Sequence, residues 1–146
     1  MSRLRPYLQL VRLPAVFTAI ADILMAAMAL GVHGAQWFTV GLLALSSSCL
    51  YLSGMAWNDF FDLEQDKRER PSRPIPSGRV SRGQAGRLAA GLMMAGLGLA
   101  FVAGWRISYS NPDEITRFVW TPVGLAGCLI CAILLYDGWL DRKSVV

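Results

Sequence analysis

Four long apolar blocks alternate with polar stretches along the 146 residues. The first runs from Pro14 to Val32 and is interrupted by a single charge, Asp22. The second (Trp37 to Trp57), the third (Leu88 to Trp105) and the fourth (Phe118 to Tyr136) carry no charge. Each approaches the ~20 residues a helix needs to cross the hydrocarbon core of a bilayer. None shows strand alternation, and an open sheet cannot cross lipid because its edge amides would go unpaired. The pattern predicts an all-α, polytopic membrane helical bundle. Its four transmembrane helices are expected at 14–32, 37–57, 88–105 and 118–136, within a single membrane domain spanning 1–146.

Composition narrows this further. The chain is 54% hydrophobic and only 16% charged, with mean hydropathy +0.41, more apolar and less charged than an ordinary soluble domain. Three cysteines without a Cys-rich spacing exclude a disulfide scaffold. The net charge of +4 is confined between apolar blocks rather than spread over a face, which argues against a nucleic-acid partner. Arg3, Arg5, Arg12, Lys67, Arg68, Arg70, Arg73, Arg79, Arg82, Arg87, Arg142 and Lys143 fall on one side of the expected spans, and only Arg106 and Arg117 on the other. Basic residues accumulate on the cytoplasmic side. Both termini and the segment 58–87 are therefore expected in the cytoplasm, with the chain in the cytoplasmic (inner) membrane. The basic start, the apolar run and Ala27-Met28-Ala29 match the outline of a cleaved signal peptide. Against cleavage, the run is long, carries Asp22 and leads into another span.

The polar landmarks fit between these blocks. Residues 1–13 read as interfacial, with Tyr7 among Arg and Leu, and His33-Gly34-Ala35 joins the first two helices. The segment 58–87 begins as an extension of the second helix and breaks at Pro71, Pro74 and Pro76. Ser81 and Gln84 have the spacing of a capping box, in which side chains satisfy the free amides of a helix start. Asn111-Pro112 favours a turn in the outer loop.

The chemistry concentrates in Asn58-Asp59-Phe60-Phe61-Asp62-Leu63-Glu64-Gln65-Asp66. If the second helix continues through it, Asn58, Asp59, Asp62 and Asp66 share one face at intervals of about one turn. Three carboxylates on one stripe repel one another unless a cation compensates. Mg²⁺ suits them, because it takes oxygen ligands and commonly shares one or two carboxylates with substrate phosphates. The competing reading is a solvated helix end whose acids pair with Lys67, Arg68 and Arg70. Next comes Arg70-Pro71-Ser72-Arg73-Pro74-Ile75-Pro76-Ser77-Gly78-Arg79, stiff with proline and rich in guanidinium groups that fork onto phosphate oxygens. Acidic stripe and arginine loop together would form a diphosphate clamp. Alternatively, the loop attracts anionic lipid headgroups.

Asn58-Asp59-x-x-Asp62-x-x-x-Asp66 resembles the first aspartate-rich motif of the UbiA family of intramembrane prenyltransferases, and Arg73-Pro74-Ile75-Pro76-Ser77-Gly78 resembles the segment that follows it. Arg12-Leu13-Pro14 is similar to the family's start, and Tyr136-Asp137-Gly138-Trp139-Leu140 to the end of its fourth helix. Phe17-Thr18-Ala19-Ile20-Ala21-Asp22 resembles the UbiA-like EboC subset. The resemblance implies the N-terminal half of a UbiA-type fold, since members have eight or nine helices and a second aspartate motif that is absent here. It thus implies a fragment or an early-terminated frame, with the missing C-terminal half as a partner, and the alternative to an active enzyme is an inactive truncated half of one. Asp141-Arg142 stands where the family often has Lys-Arg.

The resemblance also implies a reaction: transfer of an isoprenoid from its diphosphate to an acceptor, often aromatic, within the bilayer. Asp59, Asp62 and Asp66 would hold Mg²⁺ as catalytic and metal-binding residues. Asn58, Arg73, Arg79 and Lys67 would bind the diphosphate, and Trp57, Phe60 and Phe61 would either face the allyl cation or pack at the interface. Asp22, an intramembrane carboxylate, is a functional candidate, or it shares a hydrogen bond with Thr18. Cys128 and Cys131 read as packing residues, and Gly91, Gly96 and Gly98 as points of close helix approach. Two other classes compete with the enzyme. One is a non-catalytic membrane protein with a merely solvated acidic loop. The other is a transporter component with Asp22 on an ion path, which would more typically show inverted repeats and interrupted helices.

Overall fold

The computed structural model describes residues 5–110 and 115–136. Among them every regular element is helical: α1 (Arg5–Leu10), a 3-10 turn (Leu13–Ala15), α2 (Val16–Ala29), α3 (Gln36–Phe61), α4 (Leu63–Glu69), α5 (Arg82–Ser110) and α6 (Ile115–Leu135). The Asn111-Pro112 turn, the Asp137–Leu140 end of the fourth-helix motif, Arg3 and the Arg142-Lys143 pair lie outside the described residues. α3 and α5 are long and apolar enough to cross a bilayer. α2 and the Trp120–Leu135 part of α6 are apolar but shorter. Length and composition thus support two of the four expected spans.

The packing is that of a protein surrounded by hydrocarbon. Small residues fill the interior: Ala56, Ala85, Ala89, Ala100, Ala103 and Ser53 are all but fully buried. Large apolar side chains point outward, among them Phe17, Met28, Leu30, Trp105 and Leu125. In water such a surface would be an aggregation liability. In lipid it is the expected arrangement, because helices there associate through close packing of small residues and through interhelical hydrogen bonds.

α5 packs against α3 on one side and α6 on the other, and α2 lies on α3. Two serines of α3 bind the facing backbone. Ser46 Oγ donates to the Gly96 carbonyl at 2.7 Å and Ser53 Oγ to the Ala89 carbonyl at 2.8 Å, both buried. The close approach is made at Gly96, where a Cβ would fall 2.8 Å from Leu50 Cγ and 3.2 Å from the Ser46 carbonyl oxygen. Gly91 and Gly98 face open space, so of the three glycines expected at contacts only Gly96 is needed at one.

At the end that bears the acidic motif, α3 runs past Trp57 to Phe61, turns at Asp62 and continues as α4. The proline-rich loop then folds back in successive turns, with hydrogen bonds from Ser77 N to Arg73 O and from Val80 N to Pro74 O, both 3.0 Å. Gly78 takes φ +74, the left-handed region that a residue with a Cβ seldom adopts. Ile75 and Val80 from this loop, Leu10 and Val11 from the amino-terminal segment, and Ala56, Ala85 and Ala89 form one buried cluster. The capping box is present: Ser81 N donates to Gln84 Oε1 at 2.9 Å and Gln84 N to Ser81 Oγ at 3.2 Å. α5 therefore starts at Arg82, a turn and a half before its apolar run.

Gly96→Ala should lower stability by about 1–3 kcal/mol through overpacking against Leu50, whereas Gly98→Ala, which adds a methyl in open space, should be close to neutral. Thermal unfolding of the two variants in detergent checks this. Equal midpoints would mean that α3 and α5 do not approach at Gly96.

Candidate active site

The acidic motif divides into two groups at the bend between α3 and α4. Asp59 and Asp66 turn to the same point: Arg73 Nη1 donates to Asp59 Oδ1 at 3.1 Å and to Asp66 Oδ2 at 2.6 Å. Both carboxylates are 4% exposed and the guanidinium 18%. Asp62 instead accepts a hydrogen bond from Asn58 Nδ2, one turn earlier. The helix closes at Asp62 and restarts at Leu63, so the four side chains do not form the single stripe that an unbroken helix would carry. Among the described residues, no three His, Cys, Asp or Glu side chains gather into a set able to hold a metal ion.

Burial decides how the Asp59–Asp66 pair is held. Two carboxylates this close and this dry would not both stay ionised without a cation between them. Arg73 is that cation. Partial burial works against its charge. The hydrogen bond to Asp66 and the negative charges of Asp59, Asp66 and Asp62 more than offset this, and hold the guanidinium above its usual value.

Arg12 supplies a second positive charge, with Nη2 3.4 Å from Asp59 Oδ1. It sits 47 residues upstream of Asp59, in a left-handed conformation with φ +49. For a non-glycine residue that geometry costs roughly 1–2 kcal/mol, offset here by the burial of neighbouring Leu10 and Val11. Arg12 is the site residue that sequence reasoning missed. It was noted for its side of the membrane and for the start of the motif, but no local spacing connects it to Asp59.

The other expected diphosphate binders are engaged elsewhere. Arg79 ties the loop together: Nη1 donates to Gln9 Oε1 at 2.9 Å, Nε to Ser77 Oγ at 3.0 Å and Nη2 to the Ser72 carbonyl. Lys67 donates to Glu64 Oε1 at 2.7 Å on the exposed side of α4. That bond and the lysine charge hold Glu64 below the usual carboxylate range. Trp57, Phe60 and Phe61 pack on one another with ring centroids 5.2–5.5 Å apart. The Arg82 guanidinium lies over Phe60, 4.4 Å from the ring centroid. The Trp57 indole nitrogen is buried without a hydrogen-bond partner.

The donor set suits a hard divalent cation in its chemistry. It offers only oxygen atoms, and two carboxylates already meet around one positive charge. Mg²⁺ typically takes one or two carboxylates and completes its shell with phosphate oxygens and water, so a third protein ligand is not required. Arg73→Gln would leave Asp59 and Asp66 buried without their shared counter-charge, at a cost of about 3–5 kcal/mol. The thermal midpoint should fall, and millimolar Mg²⁺ should raise it by more in the variant than in the parent. Lys67→Gln, on an exposed pair, should change neither quantity. An identical Mg²⁺ response in Arg73→Gln and the parent would show that the two carboxylates do not form a cation site.

No curated protein and no solved structure matches the chain. The model of the UbiA prenyltransferase family matches residues 15–145. That span takes in the two long apolar helices, the acidic motif and the arginine loop, and the chain belongs to the UbiA prenyltransferase family.

Proposed function

We propose that the chain carries the diphosphate-binding site of a Mg²⁺-dependent prenyltransferase, which moves an isoprenoid group from its diphosphate to an acceptor inside the membrane. Membership of the family supports prenyl transfer within a bilayer as the general activity. The observation that carries the specific reading is the convergence of Asp59 and Asp66 on a single positive charge at the end of a membrane-length helix.

In this reading Asp59 and Asp66 hold Mg²⁺ together with the diphosphate, and Asp62, fixed by Asn58, adds negative charge beside them. Bound there, the metal would neutralise charge that develops on the departing diphosphate. Arg73 changes partner, from the carboxylates to the phosphate oxygens, where its fork geometry gives strong charge-assisted bonds. Arg12 remains on Asp59 and keeps that carboxylate oriented. Arg79 and Lys67 act indirectly, Arg79 by fastening the loop to α1 and Lys67 by adding positive charge near the mouth. The allylic carbon–oxygen bond breaks, the diphosphate leaves, and an electron-rich acceptor forms the new bond. The apolar flanks of α3 and α5 keep water from the allyl cation.

The same reading places four spans across the membrane, with α2 and α6 completing α3 and α5. It places the acidic motif, the arginine loop and both termini in the cytoplasm, a topology that the twelve-to-two distribution of basic residues supports. In lipid nanodiscs with Mg²⁺, a labelled prenyl diphosphate and a panel of acceptors, Asp59→Asn and Asp62→Asn should each lower acceptor-dependent turnover by about 100-fold or more, the scale of losing one electrostatic contact to the transition state. Asp113→Asn, in the outer loop, should not. Full turnover by Asp59→Asn would reject the metal role. Separately, with Cys49, Cys128 and Cys131 replaced, a cysteine introduced by Ser77→Cys should resist an impermeant thiol reagent applied to intact cells. Ready labelling would reverse the topology.

A further inference from the structure

A groove of about 280 Å³ opens between α2, α3 and α6 on the side of α3 that leads up to the Asn58–Asp62 pair. Its polar lining is Thr18 and Asp22 from α2 and Ser47 and Tyr51 from α3, and its apolar wall includes Gly54 and Ile133. Ser47 and Asn58 are eleven residues apart on α3. Eleven residues are almost three whole turns, so Asn58 stands above the groove on the same stripe. At Gly54 the stripe meets Ile133 of α6, whose Cδ1 lies 3.4 Å from where a Cβ would stand.

The polar groups in this groove are unusually idle. Thr18 Oγ1 donates to the Ala15 carbonyl of its own helix at 2.7 Å, so it is not the partner of Asp22 that the sequence offered. Among the described residues, no side-chain hydrogen bond or ion pair engages Asp22, Ser47 or Tyr51. A carboxylate within a membrane-spanning bundle ordinarily pairs with a protein group or faces a functional cavity; Asp22 is exposed in the groove, and Ser47 and Tyr51 are half-buried. Here three such groups face one recess of small-molecule size, at the low end of the range for ligand pockets.

We propose that this groove is the acceptor site, and that Asp22 makes it selective for acceptors presenting a hydroxyl or ammonium donor and against acceptors that carry a carboxylate. The acceptor role rests on the prenyl-transfer reading; the ligand class rests on the groove itself. Among the described residues the groove is lined by one carboxylate, Asp22, and by no cation. A neutral or positive ligand donates a charge-assisted hydrogen bond to Asp22, whereas an acidic acceptor meets like-charge repulsion. Tyr51 and Ser47 can both donate and accept, so they orient a bound hydroxyl without changing that sign preference. The volume limits the polar head to about one ring.

The test uses the full chain in lipid nanodiscs at pH 7 and three probes on the same phenol ring: tyramine, 4-ethylphenol and 4-hydroxyphenylacetate. Saturation-transfer NMR titrations should rank them in that order, with the first and last separated by about tenfold or more in Kd, the ratio one charge-assisted contact supplies. Asp22→Asn should compress the range to within about threefold by weakening tyramine and strengthening the acid, and Asp22→Glu should keep the order. Equal affinities in the parent, or an order that survives Asp22→Asn, would overturn the proposal. Mg²⁺-dependent binding of inorganic pyrophosphate, followed in the same samples, separates the two readings. Its persistence in Asp22→Asn shows that the variant is folded and that the groove is distinct from the aspartate site. If the parent ranks the probes as expected but binds no pyrophosphate, prenyl transfer fails, and the acceptor role falls with it while the ligand preference stands.

Discussion

The contact on which the polar end of this protein depends is the Arg73 guanidinium held between Asp59 and Asp66. Two nearly dry carboxylates cannot be packed at a helix end without a counter-charge, and the chain delivers one through a loop with little conformational freedom. Pro71, Pro74 and Pro76 restrict the path and Gly78 supplies the left-handed turn. Burial of Ile75 and Val80 against α3 and α5 fixes the loop to the bundle. The amino-terminal segment then closes over it: Leu10 and Val11 enter the same core, Gln9 accepts from Arg79, and Arg12 reaches Asp59. Loop, helix end and amino-terminal segment are therefore one electrostatic and apolar unit. Removal of any part exposes a buried charge in another.

This dependence explains which features could be read from the sequence. Local rules were sufficient where the interaction is local. The capping box at Ser81 and Gln84 spans three residues, and it starts α5 where its pattern says. The extension of α3 beyond the apolar block follows from helix-compatible residues through Phe61. The aspartate spacing and the proline–arginine run identified the polar centre, and the matched family extends over the same residues. The rest depends on contacts that spacing does not encode. The bend at Asp62 sends Asp59 and Asp66 one way and the Asn58–Asp62 pair another. Arg12 meets Asp59 only because α1 folds back over the loop. Arg79 looked like a phosphate ligand but is needed to fasten the loop. Three glycines on α5 looked equivalent, and only Gly96 meets a neighbour, because helix register against Leu50 and Ser46 depends on the whole α3–α5 interface.

An arginine between the two carboxylates proposed to bind the metal has a consequence beyond stability. A bare acidic site inside a membrane protein would bind stray cations or take up protons, and either would mask it. A guanidinium occupies the space between the two carboxylates and ties the loop to them while no substrate is present. In the proposed site Asp59 and Asp66 would hold Mg²⁺ while Arg73 turned to the phosphate oxygens, so a Mg²⁺–diphosphate complex would satisfy all three side chains. Neither component alone satisfies both partners: free diphosphate leaves the aspartates unpaired, and free Mg²⁺ leaves Arg73 without an anion. The exchange therefore favours the complex over its parts.

α3 carries the two halves of this chemistry on different sides of one cylinder. Successive residues are about 100° apart on a helix, so the adjacent Asn58 and Asp59 face separate surroundings. Asp59 turns into the arginine-lined, charge-dense side. Asn58, paired with Asp62, stands over the stripe of Ser47, Tyr51 and Gly54. In the proposed reaction a highly charged leaving group and a sparingly charged acceptor must approach one allylic carbon without sharing an electrostatic environment, because the cations that hold the first would also capture an anionic form of the second. A helix that ends at the membrane surface solves this by rotation alone. Its last turn reaches the ionic loop, while the turns below it line a groove that, among the described residues, has a carboxylate and no cation. The carboxylate of Asp22 would repel an anion in the groove, whereas the diphosphate site would accept one through the forked bonds of Arg73 and through Mg²⁺ held by the aspartates. That opposition would keep each substrate out of the other's place.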